Sequence, residues 1–378
     1  MMEKLLSDIC KIQYGYAFDS AKFSTDKENG MPLVRIRDVL RGFSETYTTE
    51  ECSKEYIVQN GDILIGMDGE FNIAQWKGGT AYLNQRVCRL IPSIEINALY
   101  LFYFMKKALK AIEDKTPFVT VKHLSAKELN KIIVHIPPME EQKRIADSIK
   151  KTEEIIGIRK KQLQLLDDLV KARFVEMFGD ILSDNKLPLV QLKELADIGS
   201  SKRIYANEYV DSGIPFYRSK EIRELGAGLK PSVELFIKQE RYGEIKEKYG
   251  VPKIGDILIA AIGATIGYSW IVDTDKPFYY KDGNLIILST KNNVNPIFLN
   301  HTIGILIEDF KSKGVAGSAQ LALTIEKLEK MQVVNPNIEL QNKFAAFVEQ
   351  TNKSKVVVQK AIDEAQSLFN SLMQEYFG

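Results

Sequence analysis

The stretch Gly61-Asp62-Ile63-Leu64-Ile65 returns later in the chain as Gly255-Asp256-Ile257-Leu258-Ile259. A Trp follows each copy at the same distance, Trp76 in the first half and Trp270 in the second, and the chain contains no other Trp. The Gly-Asp pair is typical of a tight turn, and the apolar run after it is typical of a buried strand. A feature that recurs at nearly half the chain length predicts a tandem duplication of one structural unit.

Further matched blocks keep the same order in both halves. They are Leu6-Ser7-Asp8-Ile9 with Leu195-Ala196-Asp197-Ile198, Pro32–Val39 with Pro215–Ile222, Pro137 and Gln142 with Pro336 and Gln341, and Phe178-Gly179 with Phe377-Gly378. The spacing between blocks drifts, as expected when loops vary on a fixed scaffold. Because chance does not produce an ordered series of matches, we infer a pseudo-symmetric molecule. Such a molecule suits a partner with its own two-fold symmetry, such as duplex DNA.

Length and composition predict two ordinary globular domains. The chain has 378 residues, of which 45% are hydrophobic and 27% charged. Its three Cys form no CxxC motif, which indicates a reducing, cytoplasmic setting. We find no long apolar run and no signal-peptide features, so no membrane association is expected. The net charge of +1 argues against a purely electrostatic nucleic-acid binder, although not against a sequence reader with its basic residues on one face.

Each half reads as a mixed α and β globular part followed by a long helix. In the first half we predict strands at Pro32–Val39, Asp62–Ile65 and Arg86–Ile91, a helix over Ala98–Lys110, and a second helix that starts at Ser125 with a capping box to Glu128. The fold class is therefore α/β, with mixed α+β domains in a tandem pseudo-two-fold repeat. The predicted boundaries are 1–138 and 185–337 for the two globular domains, and 139–180 and 338–378 for the two long helices.

The long helices are predicted from heptad spacing. Apolar residues recur every seventh position through Ile149, Ile156, Leu163, Val170 and Met177, which indicates a helix from about Met139 to Phe178 with one apolar seam. A similar stripe, interrupted at Thr351 and Lys355, closes the second half. Two such helices most simply pair with one another as a coiled coil, in a direction that the heptads leave open. The alternative is that each helix lies separately on the surface of its own domain.

The search for catalytic motifs is negative. We find no GxxxxGK[ST] phosphate loop and no GxGxxG after a strand, and Ile136-Pro137-Pro138-Met139 fails the Asn/Asp-Pro-Pro-aromatic pattern of amino-methyltransferases. The three His show no metal-ligand spacing. Glu244-Ile245-Lys246 has the Glu-x-Lys form of metal-dependent nucleases but lacks a preceding acid, and a solvated charged loop is expected there. The sequence therefore indicates a binding protein.

This layout resembles the specificity subunits of type I restriction-modification systems over essentially the full length. The segment Ile136–Ala146 is similar to the junction between domain and helix in that family, usually Pro-Pro-x-x-Glu-Gln-x-x-Ile-Ala. The helix end Phe174–Asp180 and the two Gly-Asp-Ile-Leu copies are also similar to the family. The second junction, Asn335–Gln341, keeps one Pro and the Gln but lacks the second Pro and the Glu before Gln.

The resemblance implies a non-catalytic subunit that reads a bipartite target in double-stranded DNA. Each recognition domain would bind one half of the target, and the two helices, packed antiparallel, would set the gap between the halves. Two methyltransferase subunits and then restriction subunits would assemble on the chain. S-adenosylmethionine, ATP and Mg²⁺ would belong to those partners, and this chain would need no cofactor of its own.

Candidate DNA contacts are the basic and polar residues in or near the matched blocks. Arg35 and Arg37 correspond to Arg218 and Lys220, and on a strand each pair would share a face. Arg can bond guanine bidentately, and Asn or Gln can read adenine edges. The alternative for these residues is a surface salt bridge to Asp38 or Glu221. The remaining candidates are Lys77, Asn84, Gln85, Arg86, Lys122 and His123 in the first half, and Lys202, Arg203, Tyr280, Lys281 and Asn284 in the second.

Two rival functions stay open from the sequence. The chain could be the recognition part of a single-chain restriction or methylation enzyme, although the missing motifs count against this. It could also be a coiled-coil interaction scaffold that binds no DNA. We expect the Gly-Asp-Ile-Leu repeats and the two Trp to be structural, as a turn into a buried strand and as core residues.

Overall fold

The computed structural model describes residues 2–28, 30–115, 122–183, 187–314 and 322–378. The chain divides into two compact units. The first unit comprises Met1–Lys161 and Gln359–Gly378, and the second comprises Gln162–Val358. Each unit therefore combines one globular domain with a part of each long helix. Residues 1 and 185, the predicted starts of the two globular domains, lie outside the described residues.

The first unit contains eleven described strands and four short or medium helices, followed by the start of a long helix. The strands are β1 (Met2–Leu5), β2 (Cys10–Tyr14), β3 (Phe23–Ser24), β4 (Met31–Val34), β5 (Tyr47–Thr48), β6 (Ile57–Val58), β7 (Ile63–Gly66), β8 (Ile73–Gln75), β9 (Ala81–Leu83), β10 (Val87–Pro92) and β11 (Ile133–Ile136). The helices are α1 (Leu6–Ile9), α2 (Ile36–Arg41), α3 (Ala98–Lys115), α4 (Ala126–Asn130) and α5 (Met139–Phe178). Three sheets have the strand orders β1-β11, β2-β10-β7-β8 and β3-β5-β4-β9-β6.

The second unit repeats this plan. Its strands are β12 (Leu189–Gln191), β13 (Ala196–Gly199), β14 (Tyr209–Val210), β15 (Ile214–Tyr217), β16 (Phe236–Ile237), β17 (Ile257–Ala260), β18 (Ser269–Ile271), β19 (Tyr279–Tyr280), β20 (Leu285–Thr290) and β21 (Gln332–Val334). Its helices are α6 (Leu192–Leu195), α7 (Ser219–Gly226), α8 (Gln239–Tyr249), α9 (Pro296–Gly314) and α10 (Ile325–Glu329). They are followed by α11 (Ile338–Phe377), whose last part, from Gln359, belongs to the first unit. The sheet β13-β20-β17-β18 has the same topology as β2-β10-β7-β8, which confirms the predicted duplication.

The repeated Gly-Asp-Ile-Leu is a turn into the buried strand β7 or β17. Gly61 and Gly255 have φ of +95° and +92°, a backbone conformation that favours glycine. The Asp carboxylate accepts a hydrogen bond from a backbone N–H three residues earlier, over 2.9 Å at Asp62 and 2.8 Å at Asp256. The two Trp are buried in the domain cores. The predicted structural role of this motif is confirmed.

The long helices pack as an antiparallel pair, which confirms the predicted fold class. In the second unit, Phe174 of α5 packs against Phe344 of α11 with ring centroids 5.3 Å apart, and Asp167 forms an ion pair with Lys355. The partner numbers fall along α11 as they rise along α5, so the helices run in opposite directions. In the first unit, Ile149 of α5 shares a core with Phe369 near the end of α11. The helices are therefore not separate surface helices.

A buried Gln holds each junction between domain and long helix. Gln142 Oε1 accepts a hydrogen bond from the Asn97 N–H over 2.7 Å, and its Nε2 donates to the carbonyls of Glu95 and Pro137. Gln341 repeats this arrangement, with Oε1 accepting from the Asn295 N–H over 2.9 Å and Nε2 donating to a Pro carbonyl. These bonds join the first turn of the long helix to the start of α3 or α9, which explains why Gln survives in both junctions.

Two local predictions are wrong. The predicted strand Pro32–Val39 ends at Val34, and α2 begins at Ile36, because the buried Asp38 carboxylate captures the Arg35 N–H and starts a helix. The Glu244-Ile245-Lys246 segment is helical in α8 rather than a charged loop, since Ile245 is fully buried and anchors one helix face.

The predicted capping box of Ser125 with Glu128 is confirmed at the start of α4. No helix within the described ranges is long and apolar enough to span a membrane.

Candidate nucleic-acid interface

Some of the candidate residues of each unit lie where two parallel strands end. β4 pairs in parallel with β9, and β15 pairs in parallel with β19. The carboxyl ends of parallel strands meet at one edge of a sheet, where loops commonly form binding sites. The chain turns there from strand into a short helix, at residues 34–38 in the first unit and 217–221 in the second. We call these segments the first corner and the second corner.

The first corner holds one exposed arginine, Arg37, and one half-buried arginine, Arg35. The Arg35 N–H donates to Asp38 Oδ2 over 2.9 Å, and Asp38 is fully buried. Burial raises the pKa of the Asp38 carboxyl. Arg37 Nη2 donates to Thr46 Oγ1 over 3.0 Å, while Arg37 Nε lies 3.6 Å from Asp38 Oδ1. For the Arg35 guanidinium, the described residues include no recorded hydrogen-bond or ion-pair partner. This corner therefore offers at least one free guanidinium.

The second corner has the same backbone but ties up its cations. The Arg218 N–H donates to Glu221 Oε2 over 2.8 Å, repeating the contact of the first corner. Arg218 Nη2 also lies 3.0 Å from Glu221 Oε1 and 2.8 Å from Glu234 Oε2, and Lys220 Nζ lies 2.6 Å from Glu234 Oε1. Hydrogen bonds from Lys220 and Arg218 lower the pKa of Glu234 to about 2. The salt-bridge alternative considered from the sequence thus describes this corner.

The prediction that each pair of basic residues shares one face of a strand is wrong. Arg35 and Arg218 are the last residues before α2 and α7, whereas Arg37 and Lys220 lie within the first turns of those helices. Capping by the buried acid rotates the chain out of the extended conformation. Each basic pair nevertheless remains at one sheet edge.

A second group in the first unit surrounds the turn between β9 and β10. Gln85 and Arg86 are exposed there, and Arg86 Nη1 lies 3.4 Å from His123 Nδ1 and 3.6 Å from Asp68 Oδ1. His123 Nδ1 lies 2.5 Å from the same Asp68 oxygen. Asn84 is buried, and its Oδ1 accepts the Gln85 N–H over 2.9 Å. The structure therefore gives Asn84 a role in the turn instead of at the surface.

The two lysines predicted in the first unit lie at its edges. Lys122 Nζ donates to the Glu113 carbonyl over 2.6 Å, which ties it to the end of α3. Lys77 is exposed after β8 and lies beside Gly42, the residue that ends α2. The Lys77 side chain is therefore exposed next to the C-terminal end of α2.

The remaining candidates of the second unit are partly buried or paired. Arg203 Nε donates to Asp282 Oδ2 over 2.7 Å, and Lys202 Nζ lies 5.3 Å from the Tyr249 ring centroid. Tyr280 is buried, which raises the pKa of its hydroxyl and removes it from the surface. The Lys281 N–H donates to the Tyr217 carbonyl of β15, and the Asn284 carbonyl accepts from the Ala261 N–H. These backbone bonds leave the side chains of Lys281 and Asn284 at the turn.

Sequence reasoning missed the residues that orient the candidates. Thr46, Asp68 and Glu234 each contact a predicted basic residue, yet none belongs to a block of identical residues. The available signal was positional: Asp68 follows the first Gly-Asp-Ile-Leu strand at its far end. Within the described ranges, no group of three or more His, Cys, Asp or Glu side chains could hold a metal ion.

Comparisons with known proteins all identify the same family. The family model described as "Type I restriction modification DNA specificity domain" matches residues 1–167 and again residues 186–365. The specificity subunit of the type I restriction enzyme EcoBI from Escherichia coli is 27% identical over 98% of this chain and 83% of its own length. The MjaVIII specificity subunit from Methanocaldococcus jannaschii is 26% identical over 87% of this chain and 86% of its own length.

Solved structures show the same fold. The type I restriction-modification S subunit from M. genitalium superimposes with a TM-score of 0.62 at 14% identity, covering 100% of this chain and 96% of that chain. A chain from a structure of type I R-M complex assembly and conformational transition gives a TM-score of 0.59 at 17% identity, covering 100% and 97%. Because the family model matches both units, the chain belongs to the type I restriction modification DNA specificity family.

Proposed function

We propose that the two globular units of this chain read the two different halves of one bipartite target in double-stranded DNA. The chain is the specificity subunit of a type I restriction-modification complex, and catalysis lies in its partner subunits. The observation that carries the proposal is the duplicated domain, in which corresponding backbone positions hold unlike polar and basic side chains. Such a pair of domains suits two unlike half-sites, since base contacts specify sequence and phosphate contacts position the protein.

The proposed contacts are the accessible residues of the two sheet edges. In the first unit they are Arg35, Arg37, Lys77, Gln85, Arg86, Lys122 and His123, and in the second they are Lys202, Arg203, Arg218, Lys220, Lys281 and Asn284. We leave out Asn84 and Tyr280 because both are buried. Guanidinium and amide groups at such an edge can bond base edges in the major groove, and lysines can hold phosphates.

The antiparallel helices would set the gap between the half-sites and dock the partners. Each helix has 40 residues and would extend about 60 Å at about 1.5 Å per residue. Two methyltransferase subunits would assemble on the chain, followed by restriction subunits, all in the cytoplasm. S-adenosylmethionine, ATP and Mg²⁺ would be bound by those partners. In this proposal the chain itself holds no cofactor.

The central experiment is methylome sequencing of cells that express the complete system. The wild-type chain should give one bipartite motif. Replacing residues 187–337 by the matching domain of a relative with another target should change one half-site only, which assigns that half to the second unit. Methylation at a continuous motif, or no sequence preference, would contradict the proposal.

The spacing role has its own test. Deleting one heptad from α5 and the antiparallel heptad from α11 keeps the seam on one side and shortens each helix by about 10 Å. The gap in the methylated motif should change while both half-sites stay the same. Altered half-sites would exclude the helices as the spacing element. A purified chain that methylated or cut DNA without partners would favour the single-chain enzyme instead.

A further inference from the structure

Backbone hydrogen bonds join three segments of the first unit, and we call this arrangement the backbone frame. The Met67 N–H donates to the Arg86 carbonyl over 2.9 Å, and the Leu124 N–H donates to the Met67 carbonyl over 2.7 Å. Asp68 and His123 pair as an isolated antiparallel bridge. These bonds join the end of β7, the turn between β9 and β10, and the segment that leads to α4.

The second unit contains the same frame. The Ala261 N–H donates to the Asn284 carbonyl over 2.8 Å, and the Leu323 N–H donates to the Ala261 carbonyl over 2.8 Å. Ile262 and Ala322 form the corresponding antiparallel bridge. Position by position, Asp68, Arg86 and His123 of the first unit therefore correspond to Ile262, Asn284 and Ala322 of the second. The backbone is duplicated, but at these three positions ionisable side chains occur in the first unit only.

Arg86 adopts a backbone conformation that its side chain does not favour. Its φ is +70°, and it is the sole non-glycine residue with positive φ within the described ranges. The matching turn of the second unit places the left-handed conformation on a glycine, Gly283, with φ of +71°, one residue before the counterpart Asn284. A surface ion pair contributes little net stability, and it does not offset the strain of a left-handed backbone at a residue with a side chain. Stability alone would favour glycine at position 86.

We propose that Asp68, Arg86 and His123 form a specificity-determining cluster that reads one base pair in the half-site of the first unit. This inference rests on the proposed function, because it assumes that the first unit reads DNA. Asp68 is the positioning residue: its carboxylate binds both His123 Nδ1 and the Arg86 guanidinium, and it is the least exposed of the three side chains. The other two side chains are about half exposed and can meet a ligand.

The chemistry of the cluster fits guanine. Asp68 and His123 contact Nη1 of Arg86, whereas Nη2 and Nε have no acceptor among the described residues and can donate to two acceptors of a ligand. Guanine O6 and N7 present two adjacent acceptors in the major groove, and Arg is their commonest bidentate partner. Held by Asp68, the guanidinium loses little rotamer freedom on binding. The uncharged counterparts Ile262 and Ala322 cannot orient a side chain in this way, so the second unit reads the equivalent position differently.

The sharpest variant is Arg86→Gly. Glycine suits φ of +70°, so the free energy of unfolding should stay the same or rise, while the base-reading side chain is lost. We expect methylome sequencing of cells with the complete system to show relaxed preference at one position of the first unit's half-site. In competition binding of the purified complex to duplexes, the preference for G at that position should fall by roughly tenfold or more.

Two further variants test the positioning role. Asp68→Asn keeps the shape of the side chain but removes its charge, and it should weaken the preference at the same position by less than Arg86→Gly does. His123→Ala reproduces the residue of the second unit and should also act at that position alone. The control is Lys4→Ala, which breaks an ion pair of the same unit with Glu95 outside the frame, and it should leave the motif unchanged.

The outcomes separate this inference from the proposed function. A bipartite wild-type motif that Arg86→Gly leaves intact, in a folded complex, would overturn the cluster while retaining the two-domain reading of DNA. The absence of any bipartite motif in the wild type would overturn both. A change confined to overall affinity, equal for all bases, would make Arg86 a phosphate contact and would also reject the cluster as a specificity determinant.

Discussion

At the two junctions between domain and long helix, Gln142 and Gln341 occupy the same position and make the same kinds of hydrogen bonds. At the two corners, Arg35 and Arg218 also occupy the same position, but their side chains meet different surroundings. The two junctions therefore share both the residue and its hydrogen bonds. The two corners share the backbone conformation, but their side chains have different partners. A duplicated protein that binds two unlike half-sites requires this division.

The largest effect is expected at the junctions. Gln142→Leu would leave one N–H and two carbonyls without their partner in a buried place, and each such group costs about 1–3 kcal/mol. We expect the free energy of unfolding to fall by about 4 kcal/mol, and by about 3 kcal/mol for Gln341→Leu, which breaks fewer bonds. Urea denaturation followed by circular dichroism measures both losses.

An exposed Gln on the same helix provides the control for this prediction. Among the described residues Gln164 bonds only to Asp168, one turn away, so Gln164→Leu should change the free energy of unfolding by less than about 0.5 kcal/mol. Equal effects at Gln142 and Gln164 would show that the junction bonds contribute nothing to the frame.

One matched position of α3 and α9 holds Tyr103 in the first unit and His301 in the second. His301 lies between Phe174 and Phe344, and burial, with a smaller effect of Lys171 and Lys355, lowers its pKa to about 4. The unfolded chain takes up a proton near pH 6.5, but the folded chain does so only near pH 4. Stability should therefore be lost as the pH falls through this window, by up to about 3 kcal/mol.

The variant His301→Phe isolates this contribution. Its free energy of unfolding should fall less than that of the wild type between pH 7 and pH 4, because it has no proton to take up at this position. Identical profiles for wild type and His301→Phe would contradict the prediction.

The two corners should respond differently to the loss of their arginine. Arg218→Ala leaves the buried Glu221 without its ion pair, and we expect a loss of about 2 kcal/mol, less than for a fully buried pair because Arg218 is partly exposed. Arg35→Ala should change stability by less than about 0.5 kcal/mol and affect only DNA binding. Thermal unfolding and methylome sequencing of both variants give the two readouts. A larger loss of stability for Arg35→Ala would reverse the comparison.

The sequence predicts the frame better than the edges because the frame depends on local patterns. The Gly-Asp turns, the buried Trp and the heptad seam follow from turn chemistry and periodicity within a few residues. The start of α2 at Ile36 does not, because it depends on an acid whose burial is created by packing against distant strands. The contact of Arg86 with Asp68 and His123 likewise depends on the fold. These three residues lie far apart in the sequence and meet only in the folded chain.

The smallest effect is expected from Glu234, whose counterpart in the first unit is Glu45. The Phe216 N–H donates to the Leu235 carbonyl, and the Leu33 N–H donates to the Thr46 carbonyl in the same way, which fixes this correspondence.

Glu234 binds both cations of the second corner, so Glu234→Gln should free them for phosphate. We expect the slope of log affinity against log salt concentration to steepen by about 1. Among the described residues Glu45 forms an ion pair with Arg41 alone, over 3.3 Å, and Glu45→Gln should change the slope less. Fluorescence anisotropy of the assembled complex on duplex DNA measures both. Equal slopes in the two variants would mean that the acid at this position does not distinguish the corners.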